Sequence, residues 1–262
     1  MQDEILHRAF PAGLWDDPRL GRLPGIQPVA AGDWLRVDEA FAAQMRLRDQ
    51  LIATRPREVI AELPGATPAV RETLERVLEA LSALAGYRIG SGEVRRPDGR
   101  RVVLESARPL ATLGRLCQED FCILEKRGRE HVLVAAVLCF PASWRLDEKL
   151  GRPLTAIHAP VAPYTDELAR RVQRLFDGLR PERPLWRANL LEYDDPALFQ
   201  PRSEHAPRRQ ASPRPAYLRS ERQCLVKLPR TGAVVFSIHT HVIRRVDATA
   251  TDLDALKRLA AG

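Results

Sequence analysis

The sequence predicts an α+β protein: an antiparallel sheet built from hairpins, with helices packed to one side. Three turn signals between extended runs carry that prediction, Pro97-Asp98-Gly99, Arg127-Gly128 and Pro229-Arg230-Thr231-Gly232. Two amphipathic runs with apolar residues three and four apart supply separate helices. No Gly-x-Gly-x-x-Gly or Gly-x-x-x-x-Gly-Lys-Ser/Thr string occurs, so neither a dinucleotide fingerprint nor a phosphate loop is visible.

Residues 1–34 are rich in proline and glycine, carry Trp15 and Trp34, and read as an irregular arm packed on the body. A short helical pattern covers 38–53. The strongest helix spans about Thr67 to Leu84, with Thr67 placed to cap it and Pro68 suited to the first turn. Val70, Leu74, Val77, Leu78, Leu81 and Leu84 form its apolar face, and Gly86 suits the stop. Residues 87–95 and 101–105 then pair about the first turn, and 109–118 form a short helix. The runs 121–126 and 131–140 pair about the second turn; 131–140 is apolar on both faces, which predicts a central strand. A helix begins at Thr165, buries Leu168, Val172, Leu175 and Phe176, and stops at Gly178. Residues 194–216 hold five prolines and form a long loop. The runs 224–228 and 233–242 pair about the third turn, and 251–260 close the chain as a helix. There is no internal repeat.

The 262 residues suffice for a real core and a cofactor-sized cavity. No apolar run of about 18 residues marks a membrane helix. The charged start, Met-Gln-Asp-Glu-Ile-Leu-His-Arg, lacks the apolar centre of a signal peptide, so a cytoplasmic location is expected. Cys117, Cys122, Cys139 and Cys224 match no zinc spacing and are expected as free buried thiols. The net charge of +7 rests on 37 arginines against four lysines. The arginines are scattered and aromatic residues are few, which argues against a nucleic-acid partner. No Gly-x-Ser-x-Gly string supports a hydrolase.

Four groupings can carry chemistry. His158 lies between Ile157 and Ala159-Pro160, on a backbone that proline makes stiff. It suits an axial iron ligand, or a loop histidine bonded to a carbonyl. His239 and His241 alternate onto one face of a strand, as a metal pair or as two histidines on a polar face. In residues 217–225, if extended, Arg219, Glu221 and Gln223 face one way and Arg222 the other. Their guanidinium forks suit carboxylates, or an Arg–Glu structural network. Cys224 has no glycine-rich surround that would expose its sulfur as an iron ligand.

Read together, Gln-Glu-Asp-Phe-Cys-Ile-Leu (118–124), the string 139–161 through Trp-Arg-Leu-Asp-Glu-Lys-Leu-Gly-Arg-Pro-Leu-Thr-Ala-Ile-His-Ala-Pro-Val, Leu-Trp-Arg-Ala-Asn-Leu (185–190) and 218–240 change the picture. Their order and spacing resemble the heme-dependent oxidative N-demethylase family, over roughly Trp34 to Val246. The resemblance implies a PAS-like antiparallel sheet over residues 35–262 that holds heme b. It implies oxygen-dependent removal of a methyl group from a small secondary amine, with release of formaldehyde. Electrons would come from NADPH through separate flavin and iron–sulfur subunits, since the chain carries no motif for either. His158 is then the expected axial ligand, with His239 the runner-up. Arg219 and Arg222, with Arg187 and Lys149, are expected to pair with propionates. Glu221 or Glu119 is expected to receive a cationic amine.

Departures from the family strings stand at Asn189-Leu190, where the family has Asn-Trp, at Cys224, where it has Thr, and at Ala162. A missing tryptophan reshapes a pocket, so the amine need not be dimethylamine. A heme-binding gas or redox sensor of the same fold is the alternative, as is a cofactor-free interaction domain. A homo-oligomer and a hetero-complex are both compatible with the sequence.

Overall fold

The computed structural model describes residues 3–17, 20, 25–158, 166–206 and 212–261. The chain runs through β1 (Gln27–Pro28), α1 (Phe41–Thr54), α2 (Pro56–Val59), β2 (Ile60–Glu62) and α3 (Thr67–Ser82). It continues through β3 (Arg88–Ile89), β4 (Glu93–Arg95), β5 (Arg101–Val103), α4 (Pro109–Gly114), β6 (Asp120–Arg127) and β7 (Glu130–Val137). Then come α5 (Leu146–Lys149), α6 (Leu154–His158), α7 (Asp166–Gly178), β8 (Leu185–Tyr193), β9 (Tyr217–Lys227), β10 (Val234–Arg244) and α8 (Ala250–Ala261).

The main sheet has the order β1-β8-β9-β10-β6-β7-β2, and every described pairing in it is antiparallel. This is the α+β class that the hairpins imply, but the helices are not packed to one side. Helices α1, α3 and α4 cover the face bearing Phe121 and Val235, while α6 and α7 cover the face bearing Leu124 and Leu225, because alternate strand residues are apolar on both faces. The predicted hairpin about Pro97-Asp98-Gly99 forms, but with β3 it makes a separate three-stranded sheet. The third hairpin is longer than its apolar runs suggest: β9 and β10 pair over eleven residues each. Strand β7 is buried on both sides, as its composition demands, yet lies next to the short edge strand β2 rather than at the centre. The centre belongs to β9 and β10.

Helix α3 follows its periodicity. Val70, Val77 and Leu81 are fully buried, and Leu74, Leu78 and Leu84 pack against the same core. Thr67 does not cap it. Its hydroxyl donates to Glu62 Oε1 at 2.6 Å, and Ala66 holds the capping position. Gly86 adopts φ +88° with Pro97 against its backbone, so a side chain there would be strained and crowded.

Three apolar clusters fix the sheet. The largest joins α1, α3 and α4 to Phe121, Ile123, Val235 and Val226. A second joins α6 and α7 to Leu124, Leu133, Leu225 and Ile238. A third joins the N-terminal segment, through Phe10, Leu14 and Trp15, and α8 to Ala188, Leu190, Leu218 and Ile243. All four cysteines are free and buried. Among the described residues no helix is long and apolar enough to cross a membrane.

Candidate functional site

Strand alternation builds the site. On β9, Arg219, Glu221, Gln223 and Leu225 share one face. The register sets Asn189 and Thr240 opposite Glu221, Arg187 opposite Gln223, and Leu185 opposite Leu225. The polar members bond one another. Arg187 Nη1 donates to Gln223 Oε1 at 2.9 Å, and Gln223 Nε2 donates to Glu221 Oε2 at 3.0 Å. Asn189 Nδ2 donates to the same carboxylate oxygen at 3.0 Å, while Arg219 Nη2 donates to Glu221 Oε1 at 3.2 Å. Arg219 also donates to the carbonyls of Phe140 and Leu198. Two buried donors on this face have no hydrogen-bond partner among the described residues, Arg219 Nε and the Thr240 hydroxyl. Burial pushes the Arg187 guanidinium below its usual pKa, against the pull of Glu221.

The same face turns apolar beyond Leu225, and α6 packs on this side of the sheet over β7, with β10 and β6 between it and β9. Leu154 and Ile157 pack in one cluster with Leu185, Leu225 and Phe236. His158 ends that helix in backbone terms. Its side chain, and residues 159–165, lie outside the described residues. Lys149 sits nearby but is committed: its Nζ donates to the Ile157 carbonyl and to Glu204 Oε2, each at 3.0 Å.

The opposite face of β9 and β10 holds a second polar group. Arg222 donates to the carbonyls of Trp34 and Asp33, to the Asp33 carboxylate at 3.0 Å and to Cys224 Sγ at 3.1 Å, and stacks on Trp186. Arg222 and Arg219 therefore point to opposite sides of the sheet and cannot hold one ligand together. Farther along β10, His239 lies between two carboxylates. Its Nδ1 is 2.9 Å from Glu119 Oε1 and its Nε2 is 2.9 Å from Asp38 Oδ2. Burial alone would lower its pKa; the bonds to Asp38 and Glu119 outweigh burial and hold it at about 9. Both ring nitrogens are engaged by carboxylates, on the face of the sheet away from Arg219 and Glu221. His7 Nε2 reaches the same Asp38 oxygen at 2.8 Å. His241 is buried beside them with neither ring nitrogen bonded, and burial drives its pKa well below the ordinary histidine value. Glu119 also accepts the Arg36 N–H and is almost fully enclosed. It is separated from Glu221 by the sheet.

A family model described as "Haem-dependent oxidative N-demethylase, alpha subunit-like" matches residues 25–261. The chain belongs to that family. In this demethylase-like chain the face bearing Arg187, Arg219 and Glu221 combines the desolvated Arg187 guanidinium, an Arg219 Nε with no hydrogen-bond partner among the described residues, and an adjoining apolar wall of Leu185, Leu225 and Phe236. That set is compatible with an apolar ligand that carries carboxylates.

Sequence reasoning set Arg219, Glu221 and Gln223 on one face, where they bond one another, but it missed Asn189 as a partner of Glu221 and Thr240 as its cross-strand neighbour. Alternation along an extended 217–225 already set Gln223 beside Glu221. Asn189 and Thr240 needed the register. Asp38 and His7 carry no local signal, because each meets β10 across some two hundred residues of chain.

Proposed function

We propose that the chain is a heme-dependent monooxygenase subunit that removes a methyl group from a small secondary amine and releases formaldehyde. The observation that supports this is the gathering of Arg187, Arg219 and Glu221 on one sheet face, the same side that α6, which ends in His158, covers over β7. In this reading residues 35–262 form a PAS-like heme-binding domain, with residues 1–34 as its arm. His158 would hold the iron of heme b. Arg187 would pair with a propionate, and Arg219, whose Nη groups hold Glu221 and the carbonyls of Phe140 and Leu198, would add its Nε. Arg222 and Lys149 are left to Asp33 and Glu204.

When bound, the heme supplies oxygen activation. The chain's own residues position the substrate. Glu221 receives the ammonium form of the amine by charge, and Asn189 and Gln223, which bond that carboxylate, fix its orientation. Overall, one amine, one O2, two electrons and two protons give the demethylated amine, formaldehyde and water. The electrons come from NADPH through partner flavin and iron–sulfur subunits, in keeping with a family described as alpha subunit-like.

The test is formaldehyde release by heme-loaded protein with a reductase system. Formaldehyde should track amine and O2 consumption one to one. Glu221→Gln should raise KM for the amine by about tenfold or more, with an unchanged Soret band. Heme that binds and is reduced, yet yields no formaldehyde from any small N-methylamine, would overturn the enzymatic reading and leave a sensor.

A further inference from the structure

On the face of the sheet away from Arg187 and Glu221, His7, Asp38, His239 and His241 offer four ligand atoms that lie within 4.8 Å of one another. We propose that this cluster is a buried divalent-metal site, with zinc the ion its chemistry fits best, separate from the heme and structural in role.

Three features converge on it. The first is the donor set. Three imidazoles and one carboxylate match the ligands and the number that zinc takes in closed tetrahedral sites. Ligand bonds of about 2.0–2.1 Å place donor atoms about 3.3 Å apart at a tetrahedron's edge. His7 and His239 stand at 2.8 and 2.9 Å from Asp38 Oδ2, and His241 Nε2 at 3.8 Å. Shifts of about an ångström or less bring these three edges to that value.

The second feature is His241. It is 1% exposed and neither of its nitrogens has a hydrogen-bond partner among the described residues. A buried imidazole without a partner is costly. Here its ring is tilted against those of His239 and His7, 4.6 and 4.8 Å away centre to centre, with Nε2 3.8 Å from the shared carboxylate. A metal between these rings supplies the missing partner.

The third feature is the surrounding support. His239 turns Nδ1 to Glu119 and Nε2 to the centre, the carboxylate–histidine–metal arrangement that orients a ligating ring. Asp38 is steadied through its other oxygen, Oδ1, which accepts the Ala40 N–H and the Gln118 amide. Without metal, ring hydrogens of His7 and His239 bridge to Asp38 Oδ2. A dication replaces them, and the contact given up is the long 3.3 Å bond from the Val242 N–H to His7 Nδ1. The ligands come from the N-terminal segment, the approach to α1, and β10, so a bound ion ties the first residues of the chain to the centre of the sheet. With four protein ligands no position stays open for substrate, hence the structural role.

The test uses the full chain stripped with a chelator, with Zn2+ as the probe. Zinc content is read by mass spectrometry and stability by thermal unfolding. One equivalent should bind, and Tm should rise by roughly 5–10 °C at about 100-fold excess over Kd. His241→Ala removes a side chain that makes no hydrogen bond here, so it should fold normally yet bind zinc more than about 100-fold more weakly. Glu119→Gln should weaken binding about 10–100-fold. Failure of the stripped wild-type protein to take up zinc would overturn the proposal. So would equal uptake by folded His241→Ala, which would assign the ion to other histidines. Both readouts are independent of heme and of demethylation.

Discussion

At the scale of single residues, four arginines are buried among the described residues: Arg48, Arg96, Arg219 and Arg222. Each donates to at least one carboxylate, although Arg48 Nη2, Arg219 Nε and Arg222 Nε have no hydrogen-bond partner among the described residues. Arg48 donates to Asp120 at 2.6 Å and to the carbonyls of Gly114 and Gln118, and Asp120 in turn accepts the N–H groups of Cys139 and Phe140. Breaking such a pair leaves an uncompensated buried charge. Asp120→Ala is therefore expected to cost about 3–5 kcal/mol, read as a lower urea midpoint with an unchanged slope. His239 follows the same rule. Its two nitrogens are used by Glu119 and Asp38, so His239→Ala should lower stability while heme, per folded molecule, binds with a normal spectrum.

At the scale of elements, a carboxylate on α3 clamps the β9–β10 turn. Glu72 accepts the Arg230 N–H at 2.7 Å, the Thr231 N–H at 2.8 Å and the Thr231 hydroxyl at 2.6 Å. Burial raises its pKa, but these bonds and the nearby Arg230 charge outweigh burial and hold it below 4.5. A depressed carboxyl contributes stability that is complete above its unfolded pKa and is lost as pH falls through its folded one. Glu72→Ala should cost about 1–3 kcal/mol at neutral pH, and the difference from wild type should shrink below about pH 4.5. Thermal unfolding of both proteins from pH 7 to pH 3 checks this.

The elements also show what a sequence can disclose. Helices α3 and α7 were legible because their apolar faces repeat at helical spacing. The hairpins were legible because glycine marks the turns; Gly99, Gly128 and Gly232 all adopt positive φ. Strand β8 went unread, although Trp186, Ala188 and Leu190 alternate with the polar Arg187 and Asn189 as in a half-buried strand. Those two polar positions are part of the candidate site. The two faces of β9 were readable from alternation, but which arginine meets which partner depended on register and on residues 33–38.

For the whole molecule, the sheet separates two polar centres and the N-terminal segment closes one of them. His7 pairs with Asp38, Trp34 donates its indole N–H to Ser237 at 2.9 Å, and the Asp33 and Trp34 carbonyls hold Arg222. Trp34→Ala should cost about 3–5 kcal/mol and loosen that closure, visible as faster amide exchange in β9 and β10.

The heme site on the other face is the central claim, and absorption during heme titration of the purified chain tests it most directly. The wild-type protein should give a saturable Soret band at one heme per chain. His158→Ala should lose it or bind far more weakly, and His239→Ala should keep it. A wild-type chain that gives no Soret band, or an intact band in His158→Ala with loss in His239→Ala, would contradict the account.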